Sequence, residues 1–250
     1  MKKLIQRLVC IFLCLITVQI AAQEENGIST QIELGAIFTS GNTDDENIQF
    51  KGNVAWVQDS WEYGFSVDGF RSSKDGEVAA QRVYYVSSAN YSISENSFIL
   101  TRLAHDDDRF SGYDSQSDIS VNYGRNLLVA TPNMGITLNF GLGMRQSRSD
   151  EENFDEPMVR FSSDYEWNIS QNAIFSQHLS TESGNETSIL RSESSIETQI
   201  LDNLSLRFSV DVKHQTEVPV GRDKTDTEIP NSLANIFLKR ISPLNLSNPN

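Results

Sequence analysis

The chain has 250 residues, 20 Lys plus Arg against 34 Asp plus Glu, a net charge of -14, 38% hydrophobic residues and a mean hydropathy of -0.38. So acidic a chain repels nucleic acid and anionic head groups, and after residue 22 it has no run of about eighteen apolar residues that would cross a bilayer as a helix. Its two cysteines, Cys10 and Cys14, both lie within the first 22 residues, so no disulfide holds the remainder together.

The N-terminus carries Lys2, Lys3 and Arg7, then the apolar run LVCIFLCLITVQIA, then Ala21-Ala22. Basic, apolar and small-residue regions in that order predict a secretory signal peptide over 1–22, cleaved after Ala22. Neither cysteine follows a Leu-Ala-Gly box, so no lipid anchor is expected. Without the leader the count is 17 basic against 34 acidic residues, or -17.

Residues 23–30 are expected to be a short periplasmic lead-in. From Gln31 onward the sequence alternates apolar and polar residues, as in NIQFKGNVAWV (47–57), where Ile48, Phe50, Val54 and Trp56 share one side and Asn47, Gln49, Lys51 and Asn53 the other. Twelve such segments follow one another: 31–39, 47–57, 61–70, 82–92, 97–105, 116–125, 135–146, 158–168, 173–182, 188–200, 204–214 and 227–237. Most run about nine to twelve residues, longer than the five or six usual in soluble sandwiches and matching what a tilted strand needs to cross the hydrocarbon layer. Short connections (Asp59-Ser60, Ser94-Glu95-Asn96, Ser170-Gln171-Asn172, Asp202-Asn203) alternate with longer polar ones (SGNTDDE, RSSKDGEVAA, DDDRFSGYDS, SRSDEENFDE, SGNET, QTEVPVGRDKTD). The link LLVATPNM is longer than its set. An even strand number with short turns at one rim and long loops at the other predicts an all-β, antiparallel up-and-down transmembrane barrel of about twelve strands over 31–237. Both ends would be periplasmic, with a tail at 238–250 and acidic loops outside.

Trp56, Trp61, Tyr91, Phe98 and Trp167 all fall near the short-turn ends, as an interfacial aromatic belt requires. The apolar rows, such as Ile32, Leu34, Ala36 and Phe38 or Ile136, Leu138, Phe140, Leu142 and Met144, are then expected to face lipid. The opposite rows carry Glu33, Lys51, Asp68, Arg82, Asp118, Arg145, Arg160, Arg191, Arg207 and Lys213, with Glu62, Asp164, Glu166, Glu193, Glu197 and Asp211, and these are expected in the lumen. A basic track of Lys51, Arg82, Arg145, Arg160, Arg191, Arg207 and Lys213 would pass anions. Acids alternate with it strand by strand, Glu33 beside Lys51, Asp68 near Arg82 and Asp118 near Arg145, which points instead to an ion-pair network. A narrow or gated pore and a closed scaffold both remain open, because twelve strands lie between filled and open barrel sizes.

The stretches ELGAIFTSGNTDDENI (33–48), DDDRFSGYD (106–114), STESGNET (180–187) and VKHQTEVPVGRDKTDTE (212–228) resemble the salt-induced outer membrane proteins of Gram-negative bacteria, a family catalogued as a domain of unknown function. The resemblance runs from about Glu33 to Phe237 and implies an outer-membrane barrel whose need rises with salt or osmotic stress; it implies no reaction. Relatives end on a strand with a terminal aromatic read by the barrel-insertion machinery. Phe237 stands at that place here, but Asn231 and Asn235 dilute the row, Pro230 removes a ladder donor, and LKRISPLNLSNPN follows.

Asp106, Asp107, Asp108 and Asp114 offer hard oxygen ligands of the kind calcium takes, without the spacing of an EF-hand. A solvated acidic rim with Arg109 as partner explains them more simply. The long links with their flanks carry most of the acidic excess, so divalent cations bridging the rim to lipopolysaccharide phosphates are expected, with outer-membrane lipids as partners. No cofactor, resident metal or catalytic residue is expected. His105, His178 and His214 are the only imidazoles, and no G-x-S-x-G or similar nucleophile setting accompanies His214, which a surface-active lipid hydrolase would need.

Overall fold

The computed structural model describes residues 27–39, 45–108, 113–128, 131–149, 153–201, 204–228 and 231–236. The leader expected at 1–22 and the tail at 238–250 lie outside the described residues. Among the described residues there is no helix, and the chain runs through thirteen strands: β1 (Ile28–Thr39), β2 (Asp45–Gln58), β3 (Trp61–Lys74), β4 (Glu77–Ser94), β5 (Ser97–Asp108), β6 (Ser115–Leu127), β7 (Met134–Arg148), β8 (Asn153–Asn168), β9 (Ala173–Ser183), β10 (Ser188–Leu201), β11 (Leu204–Gln215), β12 (Thr225–Glu228) and β13 (Asn231–Ile236). The first eleven alternating segments each lie on one strand, and the described part of the twelfth is divided between β12 and β13. β1 begins inside the expected lead-in, where the Val57 amide donates to the Gly27 carbonyl at 3.1 Å.

Every consecutive pair from β1 to β11 is antiparallel. β13 pairs with β11 on one side and with β1 on the other, which closes the ring. Closure removes the free edges that a membrane cannot solvate. Among the described residues β12 pairs with β11 alone. The segment expected at 227–237 is therefore two pieces of one twelfth wall. Pro230, which has no amide to offer, stands between them. Phe237 lies outside the described residues.

The shortest full wall, β9, has 11 residues. At roughly 3.3 Å per residue and a tilt of about 40°, it rises roughly 28 Å, close to the thickness of a bilayer's hydrocarbon core. The link expected over 71–81 is not a long loop. β3 and β4 extend to a two-residue turn, Asp75-Gly76, with φ of 51° and 85°. Two positive φ values make the mirror-image hairpin turn that Asp-Gly favours.

Burial is inverted relative to a soluble fold. Among the described residues the buried apolar ones are Ala104, Tyr113, Met158 and Ile189, while Glu33, Arg102, Asp106, Asn122, Arg145, Ser162, Glu182 and Lys213 are all buried. The large hydrophobes lie outside, with Leu142 at 65% and Phe140 at 58% exposure, and Ile48, Phe50, Val54 and Trp56 are exposed as well. No water-soluble sheet gains stability from that arrangement; a barrel with lipid around it does.

Candidate functional site

Strand parity points one row of each wall inward, and those rows meet in a lumen crossed by ion pairs. Glu182 of β9, 1% exposed at its side chain, accepts from Arg191 at 2.9 Å and lies 3.6 Å from both Arg102 and Arg160. Arg102 also bonds Asp118 and the Tyr84 hydroxyl, and Arg191 sits over the Tyr84 ring, 5.2 Å from its centroid. Asp106 of β5 takes Lys213 of β11 at 2.9 Å and Arg191 of β10 at 3.4 Å. Lys51 of β2 reaches Asp68 on its own side, then crosses to Glu193 and Asp211 at 3.2 and 3.4 Å. Arg82 of β4 joins Asp68 at 3.6 Å to Glu228 of β12 at 3.3 Å. Arg207 holds Glu33, Glu193 and Glu197 together.

These contacts tie β2, β4 and β5 to β9–β12, walls that share no hydrogen-bonded edge with them. Charges this poorly hydrated persist because each has opposite charges within reach. Nearer the long-loop rim, Arg145 is held by Glu156 at 2.5 Å and by the carbonyls of Glu182 and Thr187. The other Glu156 oxygen accepts from the Glu186 amide at 2.8 Å, so this pair pins the loop between β9 and β10. A lumenal cavity of about 480 Å³ runs through the network itself, from Asp226, Glu228 and Lys213 nearer the long loops, past Lys51, Asp68 and Arg102, to Asn90, Asn139 and Thr137 beside Phe98 and Leu100 on the short-turn side.

The structure brings together in this lumen Glu33, Lys51, Asp68, Arg82, Asp118, Arg145, Arg160, Arg191, Arg207 and Lys213. The neighbours expected from sequence are only partly the bonded ones. Asp118 and Arg145 are cross-strand neighbours in register, yet Asp118 bonds Arg102 and Arg145 bonds Glu156. Arg102, Glu156, Glu182, Glu228 and Tyr84 belong to the same network and were not among the expected lumenal residues: Glu156 sat in an expected loop, and Glu182 and Glu228 stood at the loop-side ends of the expected strands 173–182 and 227–237, where they counted with the acidic flanks.

Asp106, Asp107 and Asp108 are the end of β5 and not a loop. Asp106 and Asp108 turn inward onto Lys213, while Asp107 lies on the outward face. Asp114 stands in a separate turn and the Asp108 amide donates to its carbonyl at 3.0 Å. Alternation, which keeps Asp107 on the far side of the wall from its neighbours, prevents the three from converging on one cation. No cluster of three or more metal-ligating side chains occurs among the described residues.

Of the aromatic belt, Trp56, Trp61, Tyr91 and Trp167 lie outward at the short-turn rim. Trp61 stacks on Tyr63 at 5.9 Å and meets Tyr91 at 4.9 Å. Phe98 does not join them. It shares the inward parity of Arg102 and Asp106 and lines the cavity. His178 also faces the lumen, 2.5 Å from Asp164. His105 and His214 face outward, bonded to Ser117 and Thr225 at 2.8 Å each.

The sequence matches the family described as a protein of unknown function, DUF481, over residues 32–235. The chain belongs to that family. The uncharacterized protein YdiY of Escherichia coli (strain K12) is 22% identical to this DUF481 chain over 189 residues, 75% of this chain and 74% of its own length. Among solved structures, the NanC porin superposes with a TM-score of 0.53 at 9% identity, covering 84% of this chain and all of its own. The outer membrane channel COG4313 from Pseudomonas putida F1 gives 0.50 at 9% identity, covering 88% and 98%. At that identity the likeness shows the fold: this DUF481 chain is a β-barrel of the outer-membrane type.

Proposed function

We propose that the protein is an integral outer-membrane barrel acting as a narrow channel, held shut at mid-height by the ion pairs that cross its lumen. The observation that carries this reading is the joining of facing walls by Lys51, Arg82, Arg102, Arg191 and Lys213, within a lumenal cavity that those same residues line and that continues toward the short-turn side. A solid scaffold has no use for that cavity, and an open pore would not have its walls bonded across the middle. Eight Lys and Arg side chains and eleven carboxylates take part in the lumenal Lys and Arg pairs named above, a formal excess of three negative charges, so ions that pass should be cations. That replaces the anion track that the cations alone suggested.

Planar-bilayer recording of refolded protein tests the proposal. We expect rare, small steps that favour K⁺ over Cl⁻ and become frequent in Asp106→Asn. Silence in both proteins would leave only a structural barrel.

Export by a signal peptide cleaved after Ala22, assembly through the barrel-insertion machinery and a role under salt or osmotic stress belong to this same reading, the last on the family resemblance alone. Divalent cations are proposed to bridge exposed acids of the long-loop rim to lipopolysaccharide. That rim is less acidic than the residue count suggested, since Asp106, Asp108, Glu156, Glu182 and Glu228 point inward. We propose no enzymatic activity. Lipid hydrolysis by refolded protein that His214→Ala abolishes would overturn that.

A further inference from the structure

We propose that the short-turn end of the lumenal cavity, around Asn90, Phe98, Thr137 and Asn139, is a binding site for a small uncharged polyhydroxylated solute, a sugar alcohol or a mono- or disaccharide. The inference rests on the channel reading for its biological use, and on the wall chemistry alone for the binding itself. The charged groups that ring the cavity are already committed: Lys51, Arg82, Arg102, Arg191 and Lys213 each have a carboxylate within 3.6 Å. An ionic solute would have to break one of those pairs, at a cost its own charge would only partly return.

Charged atoms of the wall such as Asp106 Oδ1, Asp211 Oδ1, Arg82 Nε and Arg160 Nε also lack a hydrogen bond, but each belongs to a side chain already held in an ion pair, and the neutral amides have no such pairing. Asn139 is 5% exposed and donates to Ser162 at 3.3 Å, but its Oδ1 has no partner, and neither has the buried Oδ1 of Asn90. Both residues line the cavity. If either amide is turned over, a donor is left waiting in place of an acceptor. A hydroxyl, which donates and accepts, answers both cases.

Beside Asn139 the wall is bare at Gly124, where a Cβ would fall onto the ring of Phe98 and onto the Asn139 amide. The register runs Phe98, Gly124, Asn139 across β5, β6 and β7, so the ring leans over β6 toward the amide. An apolar ring next to unpartnered amides, with Thr137 close by, matches a solute with C–H faces and hydroxyl edges. The cavity as a whole, its charged part included, measures about 480 Å³, within the range of small-ligand pockets.

The test is calorimetric titration of the refolded full chain in detergent with sucrose and with sorbitol, against gluconate and glycine betaine as charged and zwitterionic probes. We expect saturable binding of sucrose or sorbitol, no binding of the other two, and a loss of tenfold or more in Phe98→Ala and in Asn139→Ala. Gly124→Ala, which displaces the ring without removing it, should weaken binding likewise. A heat-modifiability gel confirms that each variant is folded, and any one folded variant suffices to decide. Absence of saturable sucrose or sorbitol binding, preference for gluconate or betaine, or binding unchanged in a folded variant would overturn the proposal. Binding without conductance sinks the channel reading and spares this one; conductance without binding does the reverse.

Discussion

Removing the carboxylate of Asp106 is the perturbation whose consequences follow most directly from the lumen. The Asp106 and Lys213 side chains are each 5% exposed and 2.9 Å apart. Breaking a buried pair by deleting one partner costs about 3–5 kcal/mol, mainly through the charge left behind. Here the stranded cations keep something: Lys213 has Asp108 at 3.6 Å, and Arg191 has Glu182 at 2.9 Å. The low end therefore applies, and Asp106→Ala should cost about 3 kcal/mol, on the order of a hundredfold in the unfolding equilibrium. Guanidinium unfolding of protein refolded into vesicles, read by fluorescence of the three tryptophans, measures it. The double change Asp106→Leu with Lys213→Met should recover part of the loss, since the Lys213 cation is no longer stranded while Asp108 gives up its 3.6 Å contact. A single-variant loss under about 1 kcal/mol, or a double variant worse than the single, would show that water already hydrates this layer and that the pairs do not close the lumen.

Leu142 stands midway along β7 on the outward face, 65% exposed, so Leu142→Arg should cost about 2–4 kcal/mol in vesicles by the same unfolding assay. Trp61→Ala removes the contacts with Tyr63 and Tyr91 and should lose about 1 kcal/mol; lipids brominated near the head group should quench the wild-type tryptophans more than lipids brominated at the chain ends. A side chain at Gly141 would press on the Val121 carbonyl and the Asn122 backbone of the neighbouring strand, so Gly141→Val should give no fast-migrating folded band on an unboiled gel. Arg145→Leu releases Glu156 and the Thr187 carbonyl, and the loop at 184–187 should then be cut by added protease many times faster than in the parent.

Period-two alternation was the legible part, because parity in a strand depends only on counting, and it put Ile48, Phe50, Val54 and Trp56 outside and the charged rows inside. Partner choice was not legible. Lys51 lies next to Glu33 in register, yet its close contacts include Glu193 and Asp211 from the far wall, and which residues face each other across a lumen depends on the stagger of the closed sheet. Acid-rich strand ends misled for a related reason. Asp106, Asp108 and Glu156 read as solvated loop by composition, but β5 and β8 continue far enough to carry them inward, and Glu182, at the end of the expected segment 173–182, points inward although it counted with the acidic flank of the next link. Phe98 read as belt by its position near a turn, although its parity matches Arg102. The Asp75-Gly76 pair was a signal the sequence did carry, outweighed by the polar residues around it.

Spin labels on β2 and β7 of protein reconstituted in vesicles test the inverted burial most directly, by comparing collision with dissolved oxygen, which concentrates in the hydrocarbon, against a water-soluble nickel chelate. Labels at Phe50 and Leu142 should be relaxed by oxygen and untouched by the chelate, and labels at Lys51 and Asn139 should show little of the oxygen effect. Chelate contact at Phe50 and Leu142, with oxygen favouring Lys51 and Asn139, would contradict a barrel that turns its apolar rows to lipid.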